Sequence, residues 1–211
     1  KRLLWEISYD ISTLYKRYDL TPAFYKGDLL LPLDDRIEYI NAENGSSNGA
    51  YTDEEIDHIY FFNENSIQDN TMKFFIDEFD YEYIVVDLDK NLKIAGGFLD
   101  SDNPEQGVWI NNIFVDVSPS GIVTAYELPL AGENDAAILW RQDYNASLEL
   151  LGADKQKTYL LNKDNNHVYA VSTRSGKEIK TTHLLWPGDN VEIRSQYFIV
   201  QSPNKLYVLP I

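Results

Sequence analysis

Five times along the chain a short apolar run, a tight polar bend and a second β-rich run follow one another. The pairs are DLLLPL-DD-RIEYIN from Asp28, YIVVDL-DK-NLKIAG from Tyr83, IFVDVS-PS-GIVTAY from Ile113, TYLLNK-DN-NHVYAV from Thr158 and YFIVQS-PN-KLYVLP from Tyr197. Each has β-branched and aromatic residues on both arms and Asp, Asn, Pro, Ser or Gly at the bend, the composition of a β-hairpin. The starts are 55, 30, 45 and 39 residues apart, and closing the chain end to end adds a fifth interval of 42. Irregular repeats of this length match propeller blades, roughly 40 to 50 residues per four-stranded unit. The expected fold is therefore an all-β propeller of about five blades, the alternative being part of a larger seven- or eight-bladed ring.

Between the hairpins lie single strands. Arg2 to Ile7 reads as one, with counterparts at Ile138-Leu139-Trp140 and Leu184-Leu185-Trp186. In the two later cases the Leu-Trp pair follows a hairpin, as the outer strand of a blade does. The first has no hairpin upstream and is expected to complete the last one, which would remove two exposed sheet edges. From Gly45 to Ile56 the pattern stops. Gly45 to Ala50 reads as flexible, and Thr52 to Asp57 as the start of a short helix capped by Thr52 with Glu55 three residues on. One domain, 1–211, is expected, carrying an acidic loop insertion at about 45–58 and a second polar loop from Asp100 to Gly107.

The chain has 34 acidic and 18 basic residues, a net charge of −16. Phosphate neutralisation needs clustered Lys and Arg, so nucleic-acid binding is disfavoured. Two readings of the acidity remain open: a solvated surface that maintains solubility, or an electrostatic attraction for a basic protein partner. No apolar run reaches the roughly 20 residues that span a bilayer. Lys1 is not an initiator Met, so the start is expected to be a boundary left by processing or cloning, with any targeting segment upstream. The absence of cysteine removes disulfides, thiolate nucleophiles and Cys-based metal sites together, and fits an exported or luminal protein that avoids mispairing.

The segment VYAVSTRSGKEI, Val168 to Ile179, resembles the repeat of the quinoprotein-like (PQQ-like) β-propellers. In that repeat a strand ending Val-Tyr-Ala is followed by a Ser/Thr-Gly-Lys turn and an outer strand ending in Trp. Tyr169, Ala170, Ser175, Gly176 and Lys177 match. Tyr39 to Gly45 follows the same logic, and Leu4-Trp5 and Leu139-Trp140 stand where the terminal Trp belongs. Lys180 replaces the Trp of the best-matching repeat, and the second unit lacks both Gly-Lys and Trp. The resemblance implies a diverged, non-catalytic member. Its relatives range from quinone-dependent dehydrogenases to assembly lipoproteins and luminal sensing domains, so it implies a fold and no shared chemistry.

A quinone-dependent enzyme of that family would bring a vicinal cysteine pair, and this chain has none. His58, His167 and His183 sit in no Gly-x-Ser-x-Gly or HExxH context; a surface or packing role is expected of the last two. Asp87-x-Asp89-x-Asn91 matches the first half of a calcium loop without its Gly or distal Glu, and turn preference accounts for it. Asp77, Glu78, Asp80 and Asp116 are carboxylates near or within strands.

The residues and the resemblance together point to a non-enzymatic protein-binding, assembly or sensing platform without cofactor or metal. Its expected contacts are Tyr51, Asp53, Glu54, Glu55, Asp57, Tyr60 and Trp109. A glycosidase with paired carboxylates in a central cleft, and an acidic inhibitor or immunity-type protein for a basic partner, stay open as alternatives.

Overall fold

The computed structural model describes residues 5–6, 21–33, 35–76, 81–100, 106–184, 190–194, 197–202 and 205–210. Their strands group into five sheets. The first runs β1 (Ala23–Tyr25), β2 (Asp28–Pro32), β3 (Ile37–Asn41), β4 (Ser47–Tyr51) in chain order. The second holds β5 (Ile67–Gln68), β6 (Thr71–Phe75), β7 (Glu82–Asp87) and β8 (Leu92–Phe98). The third holds β9 (Gln106–Ile110), β10 (Ile113–Val117) and β11 (Ile122–Glu127). After β11, the two-residue β12 (Gly132–Glu133) pairs parallel with β8, and β13 (Ala137–Asp143) returns to β11. The fourth is β14 (Leu148–Ala153), β15 (Lys157–Asn162), β16 (His167–Ser172) and β17 (Glu178–His183). The last comprises β18 (Asn190–Arg194), β19 (Tyr197–Ser202) and β20 (Lys205–Pro210).

All five expected hairpins form, but they do not occupy equivalent places. Four are the second and third strands of their sheet, whereas YIVVDL-DK-NLKIAG is the third and fourth, β7–β8. The second strand of that sheet is β6, Thr-Met-Lys-Phe-Phe, which the turn signals did not reveal because no two-residue bend joins it to β7. Counted by second strands the repeat is regular: starts at Asp28, Thr71, Ile113, Lys157 and Tyr197 lie 43, 42, 44 and 40 residues apart. The 55-residue interval therefore needs no insertion. Gly45 to Ala50, expected to be flexible, contributes β4, paired with β3 from Ile37↔Tyr51 to Ile40↔Ser47 around a bulge. Thr52 to Asp57 forms a turn and not a helix, because Asp53 Oδ1 accepts the Glu55 N–H and closes an Asx turn that competes with the helical ladder. The strand expected at Arg2 to Ile7 lies outside the described residues apart from Trp5 and Glu6, as do Leu185-Trp186 and most of the second polar loop.

The chain divides into two compact units, Lys1–Ser101 with Leu128–Ala137, and Asp102–Glu127 with Ile138–Ile211. In the first, Ala23, Leu30, Ile37 and Tyr51 of one sheet pack on Met72, Phe74, Ile84 and Val86 of the next. In the second unit Val115, Val123 and Trp140 meet Leu160 and Val171, while Tyr159, Leu161, Val168 and Ala170 meet Val191, Phe198 and Val200. Strand β15 is thus buried on both faces, Leu160 into one core and its neighbours into the other. That is why these strands read as continuous apolar runs without alternation.

One packing device recurs. The Trp140 indole N–H donates to the Thr173 carbonyl (2.8 Å), and the ring lies on Gly176, where an added Cβ would come within 2.7 Å of it. Trp5 repeats this on the first sheet: its N–H donates to the Ala42 carbonyl (2.9 Å), and a Cβ added at Gly45 would come within 2.9 Å of its ring. Both glycines have positive φ, +66 and +74, and both donate their N–H four residues back, to Ser172 and Asn41. Glycine is needed twice over here, for the left-handed backbone and for the absent side chain.

Candidate functional site

Three turns meet at one end of the first unit. Lys26-Gly27 between β1 and β2, and Asp69-Asn70 between β5 and β6, are two-residue hairpin loops with positive φ at both positions, as a type I′ turn requires. The third, between β7 and β8, is shaped by Asp87, whose Oδ1 accepts the backbone N–H of Asp89 and Lys90. These bonds, with the Lys90 ammonium on Oδ2 at 2.7 Å, are the turn chemistry expected of Asp87-x-Asp89-x-Asn91.

The side chains of the three turns interlock. The Tyr25 hydroxyl lies 2.8 Å from Asn70 Oδ1 and 3.0 Å from Asp89 Oδ1, and Asn70 Nδ2 donates to Asp89 Oδ2 at 2.9 Å. Lys26 places its ammonium on Asp89 and over the Tyr25 ring. The Tyr39 hydroxyl donates to Asn91 Oδ1 (2.7 Å), and Asn91 donates to the Ala50 carbonyl. Between them Tyr25, Lys26, Asp28, Leu30, Tyr39, Leu88 and Asp89 line a pocket of about 230 Å³.

Its electrostatics favour charge. The hydrogen bonds from Lys26 and Tyr25 hold the Asp89 carboxyl below its usual range, and the one from Lys90 does the same for Asp87. The bond to Asp89 raises the Lys26 ammonium in return. Burial pushes the Tyr39 hydroxyl up to about 12. Both carboxylates are therefore acceptors fixed in the ionised form, the opposite of the raised acid a glycosidase needs. Asp28 differs: Asn48 Nδ2 donates to its Oδ1 at 2.8 Å, and among the described residues no ammonium or guanidinium pairs with it.

The residues expected to make contacts are dispersed. Trp109 is 1% exposed, its ring tilted against that of its register partner Phe114 at 4.5 Å, and so belongs to the core. Tyr51 is 3% exposed, packs edge-on against Phe74, and donates its hydroxyl to Asp53 at 2.9 Å. Neither offers a ring to a partner. Tyr60 is half-buried against Tyr81. Asp53 is occupied by Tyr51 and by its Asx turn, and Glu55 pairs with Lys93 at 2.6 Å. Glu54 and Asp57 are exposed carboxylates without an ion-pair partner among the described residues. Asp116 is buried within β10, and Asp77, Glu78 and Asp80 lie outside the described residues.

What the sequence reading missed is the cluster of Tyr25, Lys26, Asp28, Tyr39 and Asn70. The Lys-Gly and Asp-Asn pairs at two-residue spacing were its only signal, since the residues that meet are up to 64 apart in the chain.

No family model and no curated protein matches this sequence. Solved structures do match. BamB from Moraxella catarrhalis aligns at 14% identity and TM-score 0.56, over 89% of this chain and 55% of that one. A chain of the Mitotic Checkpoint Complex aligns at 14% and 0.57, over 88% and 59%. The computationally designed Ika4 protein aligns at 12% and 0.51, over 75% and 92%. This chain thus spans somewhat over half the length of the first two. What these likenesses share with the successive antiparallel sheets seen here is the fold, a β-propeller.

Proposed function

We propose that this chain is a non-enzymatic binding platform for a basic protein partner, working in an exported or luminal compartment. The observation that carries the reading is the pocket lined by Tyr25, Asp28 and Tyr39, in which Asp28 has no cationic partner among the described residues. A carboxylate without a cationic partner is an acceptor for the charge-assisted hydrogen bonds of a lysine or arginine side chain. Glu54 and Asp57 extend the acidic surface, because Asn91 and Lys93 tie the β7–β8 hairpin to Ala50 and Glu55 of the adjoining segment. The checkpoint chain comes from a protein complex, which supports a platform over an enzyme.

The test is association kinetics with a partner captured from extract. Glu54→Gln/Asp57→Asn should fold as wild type to within about 0.5 kcal/mol, as exposed substitutions do. Its association should slow and lose salt dependence, and Asp28→Asn should speed dissociation. Wild-type kinetics in both variants would overturn the reading. Asp53→Asn and Glu55→Gln are poorer probes, since these residues hold Tyr51 and Lys93 in place.

We also infer five blades, one to each of the five sheets. Trp140 sits on the fourth strand of the sheet that precedes its glycine turn, and Trp5 makes the same bond and ring contact ahead of the first sheet. Removing residues 1–8, which takes Trp5 from the Ala42 carbonyl and from Gly45, should therefore lower the melting temperature. A truncated monomer with the wild-type melting temperature would refute it.

A further inference from the structure

The second unit brings two histidines together that lie sixteen positions apart. Strands β16 and β17 pair in antiparallel register with His167 directly opposite His183. Residues opposite each other in such a pair project to the same face, with their Cβ atoms about 4.5–5.5 Å apart. The imidazole centroids are 4.8 Å apart with their planes inclined by 32°. Neither ring has a side-chain hydrogen-bond partner among the described residues, and His167 Nδ1 is shielded from water with none. The Tyr169 ring lies nearly parallel to His167 at 6.4 Å, and Asn162 lies within reach of the Tyr169 hydroxyl at 3.5 Å.

We propose that His167 and His183 form a two-imidazole site for a borderline divalent metal ion of the copper, nickel and zinc class. The separation suits one shared ion. With metal–nitrogen bonds of about 2.0–2.1 Å and a ring radius of about 1.1 Å, centroids 4.8 Å apart subtend roughly 97° at the metal. That lies between the square-planar angle and the tetrahedral one, the geometries these ions adopt with nitrogen ligands. Neutral imidazole is the ligand type that suits them, and His183, exposed on the outer strand β17, leaves the remaining coordination positions open to water. Copper(II) should bind most tightly of the three, following the order of divalent stabilities.

The experiment titrates Cu²⁺ into the full chain and reads calorimetry and electron paramagnetic resonance. One ion per chain is expected, with hyperfine structure from two imidazole nitrogens. His183→Ala and His167→Asn should each weaken binding by at least about tenfold and erase the two-nitrogen pattern. His58→Ala, a histidine of the other unit, should leave both unchanged. His183 is exposed, so its variant keeps the fold and remains informative if His167→Asn does not. Wild-type affinity in His183→Ala overturns the proposal. So does loss of binding on His58→Ala or on acetylation of the N-terminal amine.

Discussion

Replacing Lys73 with methionine is expected to stabilise the protein at neutral pH. Lys73 is the second strand's odd residue: it lies within β6 between Met72 and Phe74, pairs across the sheet with Val85, and is 1% exposed. Its ammonium donates to the Thr71 hydroxyl at 3.1 Å. Burial lowers it from the ordinary 10.5 to about 8, against a smaller opposing pull from Asp69. That lowering corresponds to roughly 3 kcal/mol of penalty on the charged form.

The pH dependence follows. Below pH 8 the folded and unfolded chains both carry the proton, and the fold bears the full penalty. Between about 8 and 10.5 the unfolded chain binds more protons, so the stability attributable to this group rises with pH, and above 10.5 the penalty is gone. Lys73→Met should therefore gain about 2–3 kcal/mol at pH 7, with the gap to wild type closing toward pH 10.5. Thr71 keeps a partner, since its hydroxyl also donates to the Gln68 carbonyl. Urea unfolding of both proteins at several pH values measures this. A variant less stable at pH 7, or stability curves that stay parallel across the window, would refute the account.

The second large effect is expected at Trp140. Truncation to alanine removes most of a side chain buried among Val115, Leu160 and Val171 and orphans the Thr173 carbonyl. Loss of about 3–5 kcal/mol is expected, the range for large aromatic truncations in cores. Gly176→Ala should also destabilise: a non-glycine residue at φ +66 costs about 1–2 kcal/mol, and the new methyl would press on the indole. The double variant is diagnostic. Once the indole is absent the alanine no longer collides with it, so the two losses should sum to more than the double variant shows. Additive losses, or a Trp140→Ala cost below about 1 kcal/mol, would mean that the ring and the turn are not coupled.

Local chemistry made all five hairpins legible from the chain alone. Asp-Asp, Asp-Lys, Asp-Asn, Pro-Ser and Pro-Asn bends between apolar runs encode a turn within a few residues, and the paired registers confirm each one. Val168 to Ile179 likewise announced its glycine turn, and Leu139-Trp140 its outer strand, because a glycine with positive φ and a large aromatic leave a local mark. The sequence did not reveal β6, whose apolar run carries a buried lysine and ends without a tight bend, nor β4, whose Ser-Asn-Gly-Ala composition is weak for a strand and is paired only because β3 supplies an edge. It misplaced Tyr51 and Trp109, since an aromatic in a short polar stretch looks exposed until a neighbouring sheet covers it. Tertiary structure alone decided which side chains meet: Tyr25 with Asn70 and Asp89, and His167 with His183. Those contacts follow from turn placement and strand register, which depend on how far each strand runs before it folds back, and no spacing of residue types along the chain records that distance.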